Sequence, residues 1–78
     1  AGGTSERGMK IDYLVKMANQ IAAGFAATPD EAAASREVAG HLRRFWAPQM
    51  RRQLVEHVDS RRGEGLSELV IRAVGDLR

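Results

Sequence analysis

The segment TPDEAAASREVAGHLRRFWAP, residues 28–48, contains the signals that decide the fold of this chain. It opens with Thr28-Pro-Asp-Glu31, a capping box in which the threonine hydroxyl accepts from a helical amide and the glutamate reaches back. The proline in this box suits the first position of a helix, where its missing N–H would be unpaired anyway. At the other end, Pro48 disfavours helical geometry in the residue before it. The segment therefore predicts a helix with Thr28 as its cap that ends at about Phe45 or Trp46.

The apolar residues of this helix recur at spacings of three and four, the pattern of a helix that buries one side. The centre line of the predicted buried face consists of Ala34, Val38, Leu42 and Phe45, with Ala39 and Trp46 at one edge. Two roles are open to Trp46, because a tryptophan at the edge of an apolar face completes a core or forms part of an interface.

A second amphipathic helix is predicted on the N-terminal side, from about Ile11 to Phe25. Its apolar stripe is formed by Ile11, Leu14, Val15, Ala18, Ile21, Ala22 and Phe25, and Met17 widens it. The opposite face carries Asp12, Lys16, Asn19 and Gln20, which we expect to meet solvent. Residues 1–10 are predicted to be a flexible leader outside the folded domain.

Two shorter helices are predicted after Pro48. The first covers about residues 48–60. The side chains predicted to point into the core are Met50, Leu54, Val55 and Val58. Residues 61–65 include two glycines and predict a turn. The last helix begins after Ser67, a favourable cap residue, and its apolar face comprises Leu69, Val70, Ala73, Val74 and Leu77. With connections this short, the pattern predicts an all-α fold, a small compact bundle of three to four short helices forming one domain over residues 11–78.

The composition excludes several classes of function. The chain has 78 residues, which limits it to one domain, and it contains no cysteine. Disulfides, thiolate catalysis and iron–sulfur or zinc–thiolate ligation by this chain are therefore excluded. The first residues lack the apolar core of a signal sequence, and no later segment is long enough to span a membrane. We therefore expect a soluble cytoplasmic protein with no membrane partner.

No catalytic site can be assembled from the polar residues of the sequence. The only histidines are His41 and His57, and neither lies in a His-Glu-x-x-His or similar metal-ligand spacing. No serine lies in a nucleophile motif, and Gly63-Glu-Gly65 is too short and too acidic to hold a phosphate. We therefore expect a non-enzymatic chain, without a metal or cofactor of its own, that works by binding a larger partner.

Arginines are concentrated in the middle of the chain, where residues 36–62 contain seven arginines and three acids. Such a run is a solvated face or meets an acidic protein, a membrane or nucleic acid. Arg43 has no acid three or four residues away, and Arg51 points into the apolar arc of its helix. An arginine in such an arc must snorkel, pair or face another protein. Because arginine and tryptophan dominate interface hot spots, we predict Arg43, Trp46 and Arg51 as partner-binding residues.

Three segments of the sequence, taken together, carry a family resemblance. They are Leu14-Val-Lys-Met-Ala-Asn-Gln-Ile21, His41-Leu-Arg-Arg-Phe-Trp-Ala-Pro-Gln-Met-Arg51, and Gly63-Glu-Gly-Leu-Ser67 with the helix that follows. In order and spacing they resemble the delta subunit of soluble, metal-containing, NAD-dependent formate dehydrogenases, over about residues 11–77. The Met-Ala-Asn and Phe-Trp-x-Pro-x-Met elements are fairly specific in combination, whereas either alone is weak evidence.

The resemblance implies a role that the residues alone do not show. In such enzymes the catalytic alpha subunit holds a molybdenum or tungsten pterin, and other subunits carry iron–sulfur clusters and FMN. The resemblance implies that the delta subunit supplies no redox centre and supports assembly or stability of the complex. The expected partners are the larger formate dehydrogenase subunits, first among them the alpha subunit.

Two other classes of function stay open, a small basic nucleic-acid-binding domain and a free-standing regulatory protein. Arginine-rich faces bind phosphate, and small basic helical domains commonly bind nucleic acid. Against nucleic-acid binding, the formal net charge is only +2, and acids are scattered through the third predicted helix.

Overall fold

The computed structural model describes the backbone of residues 2–77 and the side chains of residues 11–77. The described residues form four helices and no strand, namely α1 (Gly2–Gly24), α2 (Glu31–Phe45), α3 (Pro48–Arg61) and α4 (Glu68–Leu77). The expected all-α bundle is thereby confirmed. Helix α1 begins before the predicted start at Ile11. The flexibility expected for residues 1–10 stays a prediction, and Ala1 and Arg78 lie outside the described residues.

The cap of α2 is Asp30, so the prediction that Thr28 caps this helix is wrong. Asp30 has extended backbone angles, and its Oδ1 accepts a hydrogen bond from the Ala32 N–H at 3.1 Å. Thr28 belongs to the turn that leaves α1, because its N–H donates to the Phe25 carbonyl at 3.0 Å. An aspartate outranks a threonine as a cap, and its negative charge favours the positive end of the helix dipole.

The end of α2 reverses the predicted positions of its two aromatic residues. Phe45, predicted on the buried centre line, is 70% exposed, whereas Trp46, predicted at the edge, is 5% exposed. Trp46 has left the helical conformation, with φ −92° and ψ 137°, although its N–H still donates to the Leu42 carbonyl. Its extended ψ angle redirects the chain after Trp46 toward α3. Trp46 is therefore the aromatic residue of this pair that belongs to the core, and Pro48 starts α3 as expected.

The core lies where all four helices meet, and α2 and α4 share its most extensive contact. Its buried members are Leu14, Ala18, Ala22, Val38, Ala39, Leu42, Trp46, Leu54, Val70, Ala73 and Val74. The alanines leave room for close approach of the helix backbones, since interaxial distance depends on the side chains at the contact. The fully buried Leu42 confirms the predicted facing of the middle of α2.

Polar contacts fix the register of α2 on α4. The buried Ser35 hydroxyl donates to Asp76 Oδ2 at 2.8 Å. One turn earlier on both helices, Arg72 Nη1 donates to Glu31 Oε1 at 2.8 Å. Because the two contacts advance together along both helices, α2 and α4 run in the same direction. The Glu31–Arg72 pair is exposed, so it adds little stability beyond marking the register.

Asn19 of α1 holds the turn between α3 and α4, instead of facing solvent as predicted. Its Nδ2 donates to the Gly65 carbonyl at 2.9 Å, and its Oδ1 accepts from the Ser67 N–H at 2.9 Å. In the same turn Gly63 and Gly65 have positive φ angles of 71° and 85°, which glycine adopts without a steric cost. The predicted Ser67 cap is confirmed, because its hydroxyl accepts from the Val70 N–H at 3.4 Å.

Among the described residues, no helix combines the length and the apolar character that crossing a membrane requires.

The reassigned cap gives a matched pair of variants for a stability measurement. Asp30→Ala should lower the free energy of unfolding by about 0.5–2 kcal/mol, because the Ala32 amide loses its side-chain acceptor. Thr28→Ala should change it by less than about 0.5 kcal/mol, as expected for a surface change. Urea unfolding followed by circular dichroism measures both values. A larger loss for Thr28→Ala than for Asp30→Ala would return the cap to Thr28.

Candidate partner-binding site

Both histidines take part in contacts within the chain. His57 Nε2–H donates to the Glu64 carbonyl at 2.8 Å, which ties α3 to the turn after it. The His41 ring packs against the Phe45 ring one helical turn later, with ring centroids 4.7 Å apart and an interplanar angle of 45°. Within the described residues, no group of three or more histidine, aspartate or glutamate side chains is placed to hold a metal ion.

The structure brings the predicted partner-binding residues together at the corner between α2 and α3. Arg51 Nη1 donates to the Arg43 carbonyl at 3.5 Å, a long hydrogen bond. The guanidinium of Arg43 donates to the Asp76 carbonyl at the end of α4. Trp46 belongs to the core, with 5% of its surface exposed, and its contact with a partner stays a prediction.

These contacts give the two arginines a structural role inside the chain. The last carbonyls of a helix have no intrahelical partner and lie at the negative end of its dipole. Arg51 places its positive charge beside the last turn of α2, and Arg43 places its charge beside the last turn of α4. Arg43 remains exposed and Arg51 half-buried, so their contact with a partner stays a prediction.

Two large apolar side chains on the surface were missed by the sequence reasoning. Tyr13 on α1 is 61% exposed and Phe45 on α2 is 70% exposed. No signal in the sequence separates Phe45 from Trp46. Adjacent residues of a helix point about 100° apart and can both lie within one buried face, as Val38 and Ala39 do.

The chain matches the model of a known protein family. A family model described as the NADH-dependent formate dehydrogenase delta subunit, FdsD, matches residues 13–74. The matched range includes the first two segments that carry the sequence resemblance and the third as far as residue 74 in α4, so the resemblance is confirmed. No curated protein and no solved structure matches the chain.

The two adjacent aromatic residues should respond differently to truncation. Trp46→Ala should lower the free energy of unfolding by about 3–5 kcal/mol, because it leaves a cavity in a small core. Phe45→Ala should change it by less than about 0.5 kcal/mol, because its ring is exposed. Denaturant unfolding followed by far-ultraviolet circular dichroism measures both without relying on tryptophan fluorescence. Similar losses for the two variants would contradict the assignment of Trp46 to the core and Phe45 to the surface.

Proposed function

The chain belongs to the delta-subunit family of NADH-dependent formate dehydrogenase, and we propose that it is a non-catalytic accessory subunit of that complex. In this role it binds the larger subunits and supports their assembly or the stability of the assembled enzyme. The observation that carries the proposal is the family match over residues 13–74, which includes most of the folded chain.

The chemistry of the chain supports a role without catalysis. It contains no cysteine, so it supplies no thiolate for an iron–sulfur cluster. Its histidines contact the Glu64 carbonyl and the Phe45 ring rather than each other or a carboxylate. We therefore assign the molybdenum or tungsten pterin, the iron–sulfur clusters and the FMN of the complex to the larger subunits.

The partner and the location follow from the same proposal. Among the larger subunits we propose the catalytic alpha subunit as the one that this chain contacts. We place the complex in the cytoplasm. NAD⁺ and NADH are charged and water-soluble, so an enzyme that reduces NAD⁺ needs access to the dissolved pool of both forms.

Coexpression of the larger subunits with and without this chain tests the proposal. With the chain present and tagged, the larger subunits should co-purify with it at a fixed ratio. Without the chain, the yield of assembled enzyme or its half-life on warming should fall severalfold. The rate of formate-dependent NAD⁺ reduction per bound flavin should stay unchanged, because the chain contributes no group to the reaction.

Two results would contradict the accessory role. If the enzyme assembled in full and were equally stable without this chain, it would not support assembly or stability. If the yield stayed constant while the rate per flavin fell, the chain would contribute to catalysis instead.

A further inference from the structure

The face of α2 that turns away from the core carries two lines of side chains at helical spacing. One line consists of Arg36, Gly40 and Arg44, each four residues apart, and the other of Glu37, His41 and Phe45. Together with Phe25, which follows the end of α1, these residues line an open depression that we call the Phe45 groove.

The Phe45 ring forms an apolar rim of this groove. It is 70% exposed, and its contact with the His41 ring holds it against the outer face of α2. The ring is not part of the core, whose aromatic member from this pair is Trp46. A large aromatic side chain held in this orientation is a ready anchor for an apolar side chain of a partner.

Gly40 lines the groove between Arg36 and Arg44 of the same helix. Glycine inside a helix is less stable than alanine, because it loses more backbone freedom on folding. The fold does not require it, since a Cβ built at Gly40 meets no atom within 4 Å. A glycine at this position lets another chain approach the helix backbone closely.

The charges at the groove favour an acidic occupant. Arg36 and Arg44 are exposed, and within the described part of the chain neither has an ion-pair or hydrogen-bond partner. Gly40 lies four residues from both Arg36 and Arg44. No carboxylate of α2 therefore neutralises either arginine at that spacing. Glu37 is the single acidic residue among those lining the groove, which leaves the lining with an excess of positive charge.

We propose that the Phe45 groove docks an acidic segment of a larger formate dehydrogenase subunit. An apolar side chain of that segment lies over Gly40 between the rings of Phe25 and Phe45. Carboxylates on either side of it pair with Arg36 and Arg44, whose planar donor forks match carboxylate geometry. This inference rests on the proposed function, since it names the surface through which the accessory subunit binds.

A protein segment fits the groove better than a nucleic acid does. Glu37 lies among the arginines and would repel a phosphate backbone, whereas it can accept a hydrogen bond from an amide of a protein segment. The formal net charge of +2 also gives little of the general attraction that supports nucleic-acid binding.

Binding of single-residue variants to the larger subunits, expressed without this chain, tests the proposal. Phe45→Ala, Arg44→Glu and Gly40→Leu should each raise Kd by about tenfold or more, in the range of interface hot spots. Gly40→Leu gives the clearest test of the three. Leucine favours the helix more than glycine does, so the thermal unfolding midpoint of the chain should rise while the leucine side chain fills the groove. A gain in thermal stability together with a loss of binding cannot come from unfolding.

Matched controls lie on other faces of the same chain. Tyr13→Ala removes the other exposed aromatic ring, and Arg52→Glu reverses an exposed charge on α3. Both should leave Kd within about twofold of the wild-type value, as surface changes outside an interface do. Added salt should weaken the wild-type complex more than the Arg44→Glu complex, because that variant has lost one of the paired charges.

Each failure has a distinct meaning. If wild-type chain did not bind the larger subunits at all, the proposed function would be wrong. If it bound and all three groove variants bound equally well, only the groove would be wrong. Loss of binding in Arg43→Glu but not in Arg44→Glu would move the interface to the corner between α2 and α3. Tighter binding of a mixed-sequence oligonucleotide than of the larger subunits would also overturn the assignment.

Discussion

The burial of one stripe of α2 is the constraint on which the rest of the structure depends. A chain of 78 residues can bury only about 60% of the surface that its unfolded form exposes. Val38 and Leu42 are fully buried at the centre of the bundle, against Val70 and Val74 of α4. Full burial of each such side chain contributes about 1.5–3 kcal/mol, so the four together form a large part of the stability of a domain this small.

This constraint separates the two sides of α2. The inner side consists of small and branched apolar residues that bring α4 close, and the buried Ser35 hydroxyl is satisfied by Asp76. The outer side is left with Arg36, Gly40, Arg44 and Phe45, none of which is buried in the core. One helix therefore holds the bundle together and presents the surface to which we assign partner binding.

Local signals in the sequence predicted most of the fold. The apolar spacing around Leu42, the break at Pro48 and the Ser67 cap each depend on a few adjacent residues, and each was found in its predicted place. The cap of α2 was wrong because Thr28 and Asp30 compete within two residues, and the choice depends on where the turn after α1 ends.

Contacts between distant residues could not be predicted in the same way. Asn19 holds a turn 46 and 48 positions further along the chain, and no periodicity of α1 indicates those hydrogen bonds. The burial of Trp46 rather than Phe45 depends on how α3 and α4 pack around the end of α2, which the periodicity of α2 does not contain. The sequence therefore identified the corner that carries the arginines but placed the exposed Phe45 on the buried centre line of α2.

Site-directed photo-crosslinking tests the central claim that the outer side of α2 faces the partner. A benzophenone side chain would replace the Phe45 ring in one tagged chain and the Tyr13 ring in another, since both rings are exposed. After irradiation of the assembled complex, position 45 should crosslink to an acidic segment of a larger subunit, and position 13 should not. Crosslinking from position 13 alone, in complexes that assemble equally well, would contradict the account.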